Sequence, residues 1–158
     1  MIAAIEYLSG KDEFSTDDKV TSFDKLYGNG HSWYGYMDYF TELPSNTKGG
    51  GLSDIYLRLQ YSLNKTSAEL TGHYFSLTGD LVDTISTPGT IKTAAKGLGT
   101  EIDLMIKHKL NGKTEFSCGY STMFATSSME LIKGGDASKY QQWFWVMLTF
   151  KPTLFKQD

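Results

Sequence analysis

Apolar and polar residues alternate with period two through most of this chain. From Leu98 to Leu110, Leu98, Ile102, Leu104, Ile106 and Leu110 share one parity, while Glu101, Asp103, Lys107 and Lys109 share the other. That is the pattern of a strand with one oily face and one wet face. Gly51 to Leu63 repeats it, setting Ile55, Leu57, Leu59, Tyr61 and Leu63 against Asp54, Tyr56, Arg58, Gln60 and Ser62. Tyr140 to Pro152 sets Phe144, Val146, Leu148 and Phe150 against Trp143, Trp145, Met147, Thr149 and Lys151. Ser67–Leu77, Thr114–Phe124 and His31–Phe40 alternate less cleanly, and Ile2–Ser9 is a shorter candidate. The pattern thus predicts seven strands, most near the ~9–11 residues that a tilted strand needs to cross a bilayer. A short eighth at Lys19–Phe23 would restore an even count.

The connections are unequal. Leu63-Asn64-Lys65-Thr66 and Leu110-Asn111-Gly112-Lys113 read as tight hairpins, the second with the Asn-Gly signal. Thr41–Gly50, Thr78–Lys96 and Ala125–Lys139 are long and polar. Short turns alternating with long loops is the wiring of outer-membrane barrels, with turns on the periplasmic side and loops outside. A soluble sandwich or a small ligand-binding barrel also alternates and also has one wet face. The recurrence of Glu, Asp, Arg, Lys and Gln in mid-strand favours a water-filled lumen.

Composition agrees with β structure and removes several functions. The 158 residues suit one unit over 1–158. Aromatic content of 14% with 16 glycines and three prolines suits pleated surfaces. A net charge of −3 carries no basic footprint for nucleic acid. The single cysteine, Cys118, excludes an internal disulfide and a cysteine zinc cluster. No apolar run reaches the ~18 residues of a membrane-spanning helix. The opening MIAAIEYLSGKDE lacks a basic n-region and carries Glu6 within its apolar run, a poor secretory signal.

Candidate chemistry is sparse. Glu101 and Asp103 share a strand face, two residues apart. Such a pair serves general acid–base work on a sugar, or simply a hydrated channel wall. His31, His73 and His108 have no metal spacing, and neither a phosphate loop nor a helix is evident. His108 falls on the oily parity near a strand end, within reach of lipid headgroups. Tyr34, Tyr36, Tyr56, Trp143 and Trp145 share the wet parity, where they could stack on sugar rings or fill a lumen; Trp33, Met37 and Tyr39 read as lipid-facing. The expected pore lining is Tyr34, Tyr36, Asp38, Asp54, Tyr56, Arg58, Glu69, His73, Glu101, Asp103, Lys107, Trp143 and Trp145. Arg58 is the only arginine, and acidic and basic groups mix along the wet parities. A polyanion pore needs several cations, so the substrate is left open.

Leu26-Tyr27-Gly28-x-x-His31 running into Gly35-x-Met37-Asp38-Tyr39-Phe40 resembles a signature of the alginate-export family of outer-membrane β-barrel porins, in its Bacteroidota form. The pieces EYLSG (6–10), GLSDIYLRLQY (51–61), HYF (73–75), LGTEIDL (98–104), GYSTMF (119–124), KGGD (133–136) and WFWVMLTFKP (143–152) continue the resemblance in order along the chain. The resemblance implies a barrel of many more strands, of which this chain would be the C-terminal portion.

The combined expectation is an all-β, antiparallel, up-and-down transmembrane β-barrel of about seven or eight strands, part of a larger barrel. Its expected function is an outer-membrane channel or porin of a Gram-negative bacterium. It would pass an anionic or neutral polysaccharide or small hydrophilic solutes, without catalysis, cofactor, metal or nucleic acid, and with outer-membrane lipid as its partner. A soluble sugar-binding β module and a glycosidase using Glu101 and Asp103 are the competing readings. Counting crossings back from the C-terminus puts Ser9–Asn29 on the short-turn side despite its length. Phe23–Gly30 is therefore expected to fold inward and narrow the pore, with His31 and Asp38 at the constriction; a solvated loop is the alternative.

Overall fold

The computed structural model describes residues 1–25, 27, 33–84 and 92–153. Six antiparallel strands form one open sheet in simple sequence order: β1 (Ile2–Leu8), β2 (Leu52–Leu63), β3 (Thr66–Ser76), β4 (Gly97–Lys109), β5 (Thr114–Ala125) and β6 (Gln141–Phe150). The two tight hairpins form as expected. Leu63 pairs with Thr66 across Asn64-Lys65, and Lys109 pairs with Glu115 across the Asn111-Gly112 turn.

The strand count differs from the expected seven or eight. Residues 33–40 form turns, and Lys19–Phe23 forms no strand. Tyr34 (φ 64°), Gly35 (φ 82°) and Asp38 (φ 60°) are all left-handed, which breaks the pleat and turns an apparently alternating run of rings into a folded loop. Removing that strand also resolves the topological conflict. The β1–β2, β3–β4 and β5–β6 connections are all long and all lie at one end of the sheet, with the two tight turns at the other. The β5–β6 connection also holds a helix that was not anticipated, α1 (Ser127–Lys133). Ser128, Met129 and Leu131 are its buried positions. At seven residues it is too short for helical periodicity to stand out.

Register gives each face a clear identity. Ile5 pairs with Ile55, Leu70 with Leu104, Ile106 with Cys118, and Cys118 with Val146, so the apolar parities of all six strands lie on one face. That face is exposed. The middle of the opposite face is covered by residues 33–40 of the β1–β2 connection. On β4, Ile102, Leu104 and Ile106 are 39%, 39% and 38% exposed, whereas Glu101 and Asp103 are 0% and 2%. The closed apolar core is small and sits at the long-loop end. There, strand-terminal Leu8, Leu52, Phe75, Leu98 and Met123 pack with Phe40 and Leu43, Leu77 and Leu81, and Met129 and Leu131.

Candidate functional site

Residues 33–40 lie across the polar face and are anchored on strands far apart in the sheet. The Tyr34 hydroxyl donates to Oε1 of Glu6 on β1 at 3.2 Å. The Met37 backbone N–H donates to Oε1 of Glu101 on β4 at 2.8 Å. The Tyr36 hydroxyl lies 3.9 Å from Met105 Sδ, also on β4, and the Tyr39 hydroxyl donates to Oε1 of Gln141 on β6 at 2.5 Å. Gly35 has two reasons to be glycine. Its φ is left-handed, and a Cβ would sit 2.4 Å from the Glu101 carboxylate. Burial raises the Tyr34 pKa above the ordinary phenol value, and the neighbouring Glu6 carboxylate adds to the rise.

Beneath this strap, cross-strand neighbours assemble a buried polar chain. Tyr56 faces His73, Arg58 faces Thr71, and Thr71 in turn faces Asp103. Nδ1 of His73 lies 3.0 and 2.9 Å from the two Asp54 carboxylate oxygens, and its Nε2 lies 3.8 Å from Oδ2 of Asp103. His73 thus bridges two carboxylates. Nδ1 carries the proton that Asp54 accepts. Arg58 Nε pairs with Glu69 Oε1 at 3.4 Å, and Gln60 donates to Glu69 Oε2 at 2.6 Å.

A ladder of rings runs through the same face. The Arg58 guanidinium lies 5.6 Å from the centre of the Tyr56 ring, Tyr56 is 5.3 Å from His73, and His73 stacks on Phe75 at 5.4 Å and 11°. Phe75 contacts Phe40 at 4.8 Å, and Lys133 of α1 lies 5.6 Å from the Phe40 ring. Burial pushes the Lys133 pKa down to about 8.

The structure brings Tyr34, Tyr36, Asp54, Tyr56, Arg58, His73 and Asp103 into one pocket, joined by Glu6, Trp33, Gly35 and Thr71. Glu69 and Lys107 sit nearer the tight turns, in a neighbouring depression with Gln60 and Met105. Trp143 and Trp145 are on the same polar face of β6 with rings 6.4 Å apart, Trp145 lying over Gly119 where a Cβ would meet its ring at 2.5 Å. Asp38 is exposed. His31 lies outside the described residues. Phe23 is held at the end of β1 by its N–H to the Ser9 carbonyl; Leu26 and Gly28 to Gly30, the rest of the segment expected to fold inward, lie outside the described residues.

Several assignments change with the loss of the seventh strand. Trp33 lines the pocket, while Met37 and Tyr39 pack against the core, so none of the three faces outward as a lipid-side residue. Glu101 is sealed beneath the Met37 and Gly35 backbone instead of lining open space beside Asp103. Glu6 is the residue that sequence reasoning missed; its parity in β1, directly opposite Asp54, was the available signal. Among the described residues no group of three or more His, Cys, Asp or Glu side chains is placed to hold a metal. Comparison with protein-family models, curated proteins and solved structures finds no match for this chain.

Proposed function

We propose that this sheet is a sector of the wall of an outer-membrane β-barrel channel, its apolar face against lipid and its polar face toward the lumen. The observation that carries the reading is the inversion on β4, where aliphatic side chains are exposed and carboxylates are buried. A water-soluble sheet arranges its faces the other way, because burying one aliphatic side chain is worth roughly 1.5–3 kcal/mol and burying an unpaired carboxylate is costly. The apolar belt spans all six strands and greatly exceeds the scattered exposure of ordinary surfaces.

Rings border the belt. Tyr7, Tyr74 and Phe124 are exposed toward the long-loop end, and Tyr61, Phe116 and Phe150 toward the tight turns. Eight residues separate Tyr61 from Ser53, the partner of Tyr7, about 26 Å of strand at ~3.3 Å per residue. A barrel tilt of ~40° reduces that to about 20 Å of height, the scale of the ~25 Å apolar band between aromatic girdles. Among the described residues no strand pairs with the outer edge of β1 or of β6, which leaves backbone groups there unpaired. Each would cost several kcal/mol in hydrocarbon, so further strands must continue the wall. Residues 33–40 then lie inside the lumen and narrow it for small hydrophilic solutes, with Asp38 on the exposed side of the constriction. The buried position of Glu101 counts against the glycosidase reading, since a sugar has no route to its carboxylate.

Cys118 supplies a direct test. It lies mid-strand on the apolar face between Ile106 and Val146. A nitroxide on Cys118 in lipid vesicles is expected to relax strongly with oxygen and weakly with a water-soluble nickel chelate. The reverse ranking, or recovery of the chain without detergent, would refute the membrane reading and favour a soluble sugar-binding module.

A further inference from the structure

Glu101 and Asp103, two residues apart on the polar face of β4, are both buried. The strap seals Glu101. Its Oε1 accepts the Met37 N–H, and a Cβ on Gly35 would sit 2.4 to 2.7 Å from the carboxylate atoms. The two carboxyls are hydrogen-bond neighbours of each other, with Ser121 of β5 beside Asp103. Yet Oε2 of Glu101 and Oδ1 of Asp103 are buried without a donor, a costly state for ionised acceptors. Positive charge is scarce around them. His73, opposite Glu101 on β3, gives Nδ1 to Asp54 of β2 and holds Nε2 3.8 Å from Asp103. Arg58 of β2 pairs with Glu69, and Lys107 lies farther along β4 beside that same Glu69. Glu6 of β1 accepts from Tyr34; the strap otherwise brings Tyr36, Tyr39 and the exposed Asp38. The β5 partners of the pair, Met123 and Ser121, carry no charge, and Lys133 of α1 meets the strap at the Phe40 ring. Among the described residues, then, the buried carboxyls of Asp54, Glu101 and Asp103 face a single imidazole.

We propose that one proton shared between Glu101 and Asp103 latches the strap to the sheet, and that loss of this proton in alkali releases residues 33–40. Glu101 carries the proton on Oε2 and donates it to the Asp103 carboxylate, a short, charge-assisted bond that supplies the missing donor. Removing it sets two like charges side by side out of water, which such a pair resists. The Met37 N–H alone does not replace the hydration of both. Lifting the strap admits water to Glu101, because the strap is what covers it. The undocked state therefore binds fewer protons than the docked one, and docking weakens as pH rises. The latch lies wholly within this chain and does not depend on the channel reading; on that reading, alkali widens the lumen.

The test is a nitroxide on the strap of the full chain in detergent micelles, attached through Trp33→Cys, an exposed position, with Cys118→Ser. Spectra are recorded from about pH 6 to about pH 10, below full ionisation of ordinary phenols. The ratio of mobile to immobile label is expected to climb within this range, by up to about tenfold per pH unit for release of one proton. Glu101→Gln keeps the acceptor for Met37 and carries a permanent N–H donor for Asp103, so it should hold the label immobile throughout. Retained docking does not arise from misfolding. Asp103→Asn removes one of the two like charges and supplies a donor of its own, so it should flatten the climb as well and decides the matter if Glu101→Gln fails to fold. A label indifferent to pH in the parent would overturn the proposal. So would a climb that persists in a folded variant, which would assign the transition to Lys133, or a strap already mobile at about pH 6 in folded Glu101→Gln, which would show that the anion holds it.

Discussion

The backbone N–H of Met37 donates to Oε1 of Glu101 at 2.8 Å, joining the long β1–β2 connection to the middle of the sheet across 64 residues of sequence. Gly35, two residues earlier, lets the backbone reach that carboxylate. Gly35→Ala is therefore expected to undock residues 33–40, since the added methyl collides with Glu101 and the left-handed φ disfavours alanine. Limited proteolysis should show new cleavage in this segment with the strands still protected. On the channel reading, the same variant should conduct more after reconstitution. A cleavage pattern identical to the parent chain would show that the strap is not held by this contact.

The Asp54–His73 pair is buried on both sides, with side chains 2% and 6% exposed. Asp54→Ala leaves the histidine without its acceptor and should destabilise the fold by about 3–5 kcal/mol, the usual cost of breaking a buried pair from one side. Denaturant unfolding in detergent measures this. A loss below about 1 kcal/mol would mean that water or Asp103 replaces the lost carboxylate.

Leu104 and Gln60 are both partly exposed, on opposite faces. On the outer-membrane reading, Leu104→Arg should cost roughly 2–4 kcal/mol of folding stability in lipid, the penalty for a cation at the bilayer midplane. Gln60→Arg should be nearly neutral, because Glu69 already lies 2.6 Å from the Gln60 amide and can pair with the new cation. Asp103, although on the polar face, is a poor control because it is buried beneath the strap. Equal tolerance of arginine at positions 104 and 60 would contradict a lipid-facing surface.

Lys133 in α1 titrates near 8, lowered from 10.5 by burial. Between these values the unfolded chain holds a proton that the folded chain has shed. Stability should therefore rise as the pH increases from about 8 toward 10.5, and be lowest where the buried ammonium is charged, below about 8. Lys133→Met should flatten that rise in denaturant midpoints measured across the range. An unchanged slope would assign the pH dependence to other groups.

All three long connections lie at one end of the sheet and both tight turns at the other. On the outer-membrane reading, a membrane-impermeant thiol reagent applied to whole cells should label Lys139→Cys and spare Gly112→Cys, with Cys118 replaced by serine. Labelling at Gly112→Cys alone would invert the orientation.

What sequence alone determined was the direction of side chains within each strand. A period of two places Leu104 and Asp103 on opposite faces whatever surrounds them, and Asn111-Gly112 specifies its own turn. The apolar and polar faces and the two hairpins were therefore legible residue by residue. Tertiary structure decided which face is covered and what meets beneath the cover. Residues 33–40 alternate like a strand, yet left-handed Tyr34, Gly35 and Asp38 fold them into a strap. Those dihedrals are held by contacts to Glu6, Glu101 and Gln141, which lie 28 to 102 residues from their partners. No local pattern encodes such distances. The same holds for the Asp54–His73–Asp103 chain: parity put the three on one face, but only the paired register of β2, β3 and β4 brought the imidazole between the carboxylates.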